Sequence, residues 1–130
     1  MLIGDAAGRN DPITGQGLSI THRDVRLVSE ALLNDSAWSE KIFEPYVAER
    51  AERMSRLRIV ARLASLREAS FGEAGEALRR SIHERVSARP QLAAPGLAAF
   101  IGPEALPAEV FSSEFTEAIV GQPIWDPELP

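Results

Sequence analysis

Cysteine is absent from the 130 residues. Disulfides, thiolate metal sites and cysteine nucleophiles are therefore excluded, and the chain suits a reducing compartment, with the cytoplasm as the expected location. No run of about eighteen apolar residues occurs, so no membrane span is expected. The first residues lack a basic stretch followed by an apolar one, and no signal peptide is expected. Basic residues are missing from everything after Arg89: all 14 lie at or before it, with 13 of the 19 acidic residues, and the other six acids follow. With a net charge of −5, a basic nucleic-acid surface is not expected.

What is present is ordinary for a globular protein, at 45% apolar and 25% charged residues. The length fits one domain on a prior of roughly 100 to 200 residues. A compact chain of this size removes roughly two thirds of its unfolded surface from water.

The most informative stretch is residues 2–20. It opens with Leu2 and Ile3, which suit the end of a buried strand, and then places Gly4, Gly8, Gly15, Gly17 and Pro12 close together. Glycine opens backbone conformations closed to other residues and lets a ligand approach the main chain, while proline fixes its own φ. From Gly17 the apolar pattern becomes helical, so the loop delivers free N–H groups to a helix start, an electropositive end suited to an anionic or carbonyl-bearing ligand.

Further along, the pattern is helical throughout. A first helix is expected over residues 17–33, with Leu18, Val25, Val28 and Leu32 on its apolar stripe. Asn34, Asp35 and Ser36 break it and offer a cap for the next. A long helical region over 37–69 follows, in which Pro45 marks a kink or a fresh start. Met54, Leu57, Val60, Ala61 and Ala64 form its stripe. Its arginines, Arg50, Arg53, Arg56, Arg58 and Arg62, read as a solvated face with Glu49–Arg53 and Glu52–Arg56 pairs. A third helix is expected over 73–87, with Ala74, Ala77, Leu78, Ile82 and Val86 along one side. Pro90, Pro95, Pro103 and Pro107 cut the chain into short turns, before a last helix over 107–120 carrying Val110, Phe111, Phe115 and Ile119. In the proline-rich tail, Trp125 is the residue expected to pin the chain to a neighbour.

Gly4-Asp5-Ala6-Ala7, then Asp11-Pro12, Gly15-Gln16-Gly17-Leu18 and Arg23-Asp24-Val25 resemble, in order and spacing, the second flavin-binding motif of FAD-dependent monooxygenases of the para-hydroxybenzoate hydroxylase group. Tyr46-Val47-Ala48-Glu49-Arg50 is similar to the Tyr-x-x-Glu-Arg that often follows there. The resemblance covers about the first thirty residues plus that motif and is weak from Gly72 onward. It implies that Gly4 and Asp5 lie at the flavin, the Asp5 carboxylate accepting a hydrogen bond from a ribityl hydroxyl. It implies that Pro12 stands beside the isoalloxazine ring, near the substrate, as the one position close to catalysis. The backbone amides of Gly15, Gln16, Gly17 and Leu18 are implied to face the pyrimidine edge, where fixed donors meet charge that grows on reduction. NADPH or NADH is the implied reductant. The chain departs from the pattern at Gly8, where many relatives have His, and at Ser19, where they have Asn.

Family members also carry a strand, a Gly-x-Gly-x-x-Gly turn and a helix that hold the ADP half of FAD. Nothing here supplies that, since Ile20 stands where a third glycine after Gly15 and Gly17 would be. The expected fold is therefore mainly α, the C-terminal helical portion of an α/β FAD-binding flavoprotein without its nucleotide-binding sheet. The expected organisation is a partial FAD-binding segment over 1–34, a long helical region over 35–89 and a proline-rich helical or loop segment over 90–130. Such a chain would be inactive alone, its partner being the missing N-terminal half or another polypeptide.

Plainer readings stand beside this one. Gly4-Asp5 also suits a simple strand end and capping turn. Ser19, His22 and Asp24 do not make a triad, because no nucleophile elbow is present. His22 and Asp24, two apart, point to different sides of a helix, so no metal site is expected. His83 reads as a surface or packing residue. The alternative function is a non-catalytic, all-helical association module whose uncovered apolar stripes form a homo-oligomer or bind a partner.

Overall fold

The computed structural model describes residues 1–35 and 39–127. It is mainly helical, and among the described residues there is no strand. Ile3 has extended backbone, but Leu2 is exposed and nothing pairs with the segment. The expected strand end is thus a lone extended entry into a short 3-10 turn, Gly4–Ala7.

Among the described residues five α-helices follow: α1 Gly17–Asn34, α2 Glu44–Glu68, α3 Gly72–Ala88, α4 Ala94–Ile101 and α5 Ser113–Val120. Pro45 lies in the first turn of α2, where its missing N–H costs nothing, so the expected kink or restart is a fresh start after the 3-10 turn Glu40–Phe43. Ser36, the last residue of the anticipated cap, lies outside the described residues, as does Ala37. The single helix expected over 107–120 is divided: a 3-10 turn at Ala108–Phe111 ends at Ser112, whose hydroxyl accepts from the Phe115 amide and caps α5.

Helix α2 is the spine. Its Met54 and Leu57 pack with Ile20 of α1. Val60 packs with Ala98 of α4 and with Val110 and Phe111. Leu63 and Leu66 pack with Ile82 of α3, Leu92, Ile119, Val120 and Ile124. A helix burying side chains in three clusters shows no clean polar face, and the arginine face is accordingly not simply solvated. Arg50 and Arg53 are 8% and 5% exposed, although the expected Glu49–Arg53 and Glu52–Arg56 pairs do form.

Two other stripes need correction. Leu18 and Val25 of α1 are exposed, and the buried positions are Ile20, Asp24 and Val28. In α3, Ala74 and Ala77 face solvent, while Ile82, Leu78 and Val86 make the expected contact. The tail is held by Ile124, buried in the α3–α5 cluster, and Trp125 is 63% exposed. The carbonyl of Ile124 accepts from Arg62 Nε at 2.8 Å, which ties the tail to α2. No helix among the described residues is long and apolar enough to cross a membrane.

Candidate functional site

Spacing of four puts Ile20, Asp24 and Val28 on the α1 face that meets α2, so a carboxylate enters the interior. Asp24 is wholly buried. It accepts from the Gly4 amide at 2.9 Å, from Arg50 Nε at 2.9 Å and from Arg53 Nη2 at 2.7 Å. Burial pushes its pKa up, but the hydrogen bonds from Arg50, Arg53 and Gly4 outweigh burial and hold the group below the ordinary carboxylate value.

Arg50 uses its remaining donors on the turn that precedes α1. Nη1 donates to the Ala7 carbonyl at 3.1 Å, and Nη2 to those of Gly4 at 2.9 Å and Gly8 at 3.1 Å. The turn is thereby gripped through its carbonyls by α2 and through its first amide by α1. Gly4 has φ +56°, and a Cβ there would stand 2.9 Å from Thr21 Oγ1; glycine meets both the dihedral and the close approach. Thr21 in turn donates to the Gly17 carbonyl at 3.1 Å. Gly4 therefore rests against the leading turn of α1.

The cluster extends outward. Glu49 accepts from Arg53 and, at 2.8 Å, from Arg23 Nε, and Arg23 also pairs with Glu104 in the 3-10 turn Pro103–Ala105. Tyr46 is buried near the Asp24 carboxylate, and among the described residues its hydroxyl makes no well-formed hydrogen bond. Burial, and after it the Asp24 carboxylate, push its pKa above the ordinary value.

The residues singled out from sequence occupy the outer side of this assembly. Asp5 is exposed and its carboxylate meets no partner among the described residues. Pro12 is exposed at the start of the 3-10 turn Pro12–Thr14, which Asp11 caps by accepting from the Ile13 amide at 2.9 Å. The Gly15 amide is spent on the Pro12 carbonyl at 2.8 Å, so it is not among the amides offered outward. Gln16 turns its side chain inward, donating to the Ala99 carbonyl at 2.9 Å, and its buried Oε1 has no donor among the described residues. The first bond of α1 runs from the Ile20 amide to the Gln16 carbonyl, which leaves the amides of Gly17, Leu18 and Ser19 without partners inside the helix. Open space surrounds the positions where side chains would stand on Gly15 and Gly17.

A cavity of about 400 Å³ lies between α1, α2 and α4, lined by Gln16, Ser19, His22, Arg26 and Phe100 among others. Asp5, Pro12, Gly15, Gly17 and Leu18 are not in its wall. Ser19 and His22 line it, whereas Asp24 is not in its wall and is committed to Arg50 and Arg53, so the three form no triad. His83 is exposed, and among the described residues no group of side chains could hold a metal ion.

Asp24 and Arg50 belong to the stretches singled out in the sequence, yet their role was missed. The signal was there: an acid at the buried phase of α1, and two arginines three apart on one face of α2. No family model, curated protein or solved structure matches the chain.

Proposed function

We propose that the chain forms the ring-and-ribityl end of the FAD site of a flavin-dependent monooxygenase, working with an ADP-binding half in a missing N-terminal portion or a partner chain. The supporting observation is convergence. Three of the stretches that carry the resemblance, 4–7, 23–25 and 46–50, meet in the Asp24–Arg50 cluster, beside which Asp5 is exposed and its carboxylate has no partner among the described residues.

Asp5 suits an acceptor for a ribityl hydroxyl, and the Gly17 and Leu18 amides suit the polar edge of the ring. Glycine at 15 and 17 leaves room for a flat ligand. Gln16 contributes only its backbone, because its side chain is committed to α4. Bound FAD would supply the redox chemistry, taking hydride from NADPH or NADH and passing one oxygen atom of O2 to an organic substrate. The residues for the ADP half do not fit: no strand–turn–helix unit is present among the described residues. The chain alone is therefore expected neither to retain FAD nor to oxidise reduced nicotinamide.

Riboflavin, which lacks the ADP half, is the suitable probe. Quenching of its fluorescence should show weak, saturable binding. Asp5→Ala should weaken it about tenfold or more, since a hydrogen bond to a charged group contributes roughly 1.5–3 kcal/mol. Equal titrations for the two proteins would refute the assignment of Asp5.

A second reading has one observation in its favour. Leu97, Phe100 and Ile101 of α4, at helical spacing, are all exposed, Phe100 by 88%. Such a face suits a helical association module that pairs with itself or a partner.

A further inference from the structure

Arg50 spends four hydrogen bonds in one place: one on Asp24 and three on carbonyls within five residues of chain. A buried guanidinium must satisfy its remaining donors, and here the Gly4, Ala7 and Gly8 carbonyls do so, which ties the whole turn to one side chain. Within the turn the Gly8 amide closes the 3-10 pattern on the Asp5 carbonyl at 3.1 Å. To this internal bonding Arg50 adds three hydrogen bonds and Asp24 one from outside the turn. Its shape is unusual for a side-chain-bearing chain, with φ of +56° at Gly4 and +120° at Gly8. Between those two glycines stands Asp5, whose carboxylate has no partner among the described residues.

We infer that Arg50 is a positioning residue for Asp5: by fixing three carbonyls of the turn, and through Asp24 its first amide, it sets from α2 the direction in which the Asp5 carboxylate is presented. This rests on the flavin reading for the identity of the ligand, but the positioning itself does not. Preorganisation removes the ordering cost from binding, so a loosened turn binds the same ligand more weakly. Lysine cannot replace arginine here. An ammonium has three donors radiating from one atom and cannot reach a carboxylate and three carbonyls spread across a planar fork.

The test compares Arg50→Lys with Arg62→Lys, which removes another arginine of α2 that donates to a carbonyl, that of Ile124 in the tail. Amide hydrogen exchange is read at Gly4 and Gly8, and riboflavin affinity by fluorescence. Arg50→Lys should cut protection at Gly4 and Gly8 about tenfold or more while α3 and α5 keep theirs, and should weaken riboflavin binding. Arg62→Lys should leave both readings at the wild-type value. Should Arg50→Lys fail to fold, Gly8→Ala strains the turn from its own end with Arg50 intact, and the same two changes are expected. Unchanged protection at Gly4 and Gly8, protection lost evenly across all helices, or a loosened turn that binds riboflavin as tightly as before would each overturn the inference. If the wild-type chain binds no riboflavin, the flavin reading fails, and the exchange data still decide whether Arg50 orders the turn.

Discussion

Arg50 Nε donates to Asp24 Oδ2 at 2.9 Å, joining α2 to α1 through a carboxylate with no exposure to solvent. Arg53 binds the other oxygen of the same group. Removing the acid leaves the buried Arg50 without its counter-charge and Arg53 with Glu49 alone. Asp24→Ala should therefore cost about 3–5 kcal/mol, the range for breaking a buried ion pair from one side. Urea unfolding measures this, and a loss below about 1 kcal/mol would show that water compensates the arginines.

The pKa of Asp24 gives the same contact a pH signature. Its folded value lies below the ordinary one because the bonds from Arg50, Arg53 and Gly4 outweigh burial. A depressed carboxylate contributes stability that is present in full above the unfolded value, about 3.9, and is lost as pH falls through the folded value. Stability measured from pH 6 downward should hold against this group until about pH 4 and then decline. In Asp24→Asn that part of the decline should vanish. Parallel curves for the two proteins would place the acid sensitivity elsewhere.

Tyr46 is the chain's single tyrosine, so absorbance near the phenolate band reports one residue. Burial, reinforced by Asp24, should keep it protonated beyond the ordinary pKa of about 10 in the folded protein. A midpoint at or below that value under native conditions would mean that the hydroxyl reaches water.

Glycine at position 4 answers a steric demand that Gly17 does not face. Gly4→Ala places a Cβ 2.9 Å from Thr21 Oγ1 at φ +56°, a combination expected to cost about 1–3 kcal/mol. Gly17→Ala meets open space and should be neutral or slightly stabilising, as alanine is the better helix former. Equal effects in thermal unfolding would contradict the geometry.

If α4 serves association, Phe100→Glu should shift a self-associated form to monomer in sedimentation velocity. A wild-type chain that is monomeric at high concentration removes the self-association reading.

The helical character and most helix boundaries were legible because apolar period, proline and Ser/Asn punctuation agreed. The apolar stripe of α1 was not. Leu18 and Val25 look like core by hydropathy, but the helix is rotated so that Asp24 points inward, where the arginines of α2 and the Gly4 amide satisfy its carboxylate. The arginine run misled for the same reason, since charge normally marks a solvated face and partners twenty-odd residues away are invisible in a local window. The special conformation of Gly4 was foreseeable from glycine alone; its cause, the approach of Thr21, was not. In the tail, Ile124 rather than Trp125 is buried because the last loop turns the smaller side chain toward α3 and α5.

The claim on which the functional account stands is that Asp5 and the leading amides of α1 present one face to a flavin ring and its ribityl chain. A ¹⁵N-resolved NMR titration of the chain with riboflavin tests it residue by residue. The account predicts the largest shifts at Asp5, Gly17 and Leu18, with α3 and α5 unmoved. No shifts at saturating riboflavin, or shifts confined to the α4 face around Phe100, would contradict it.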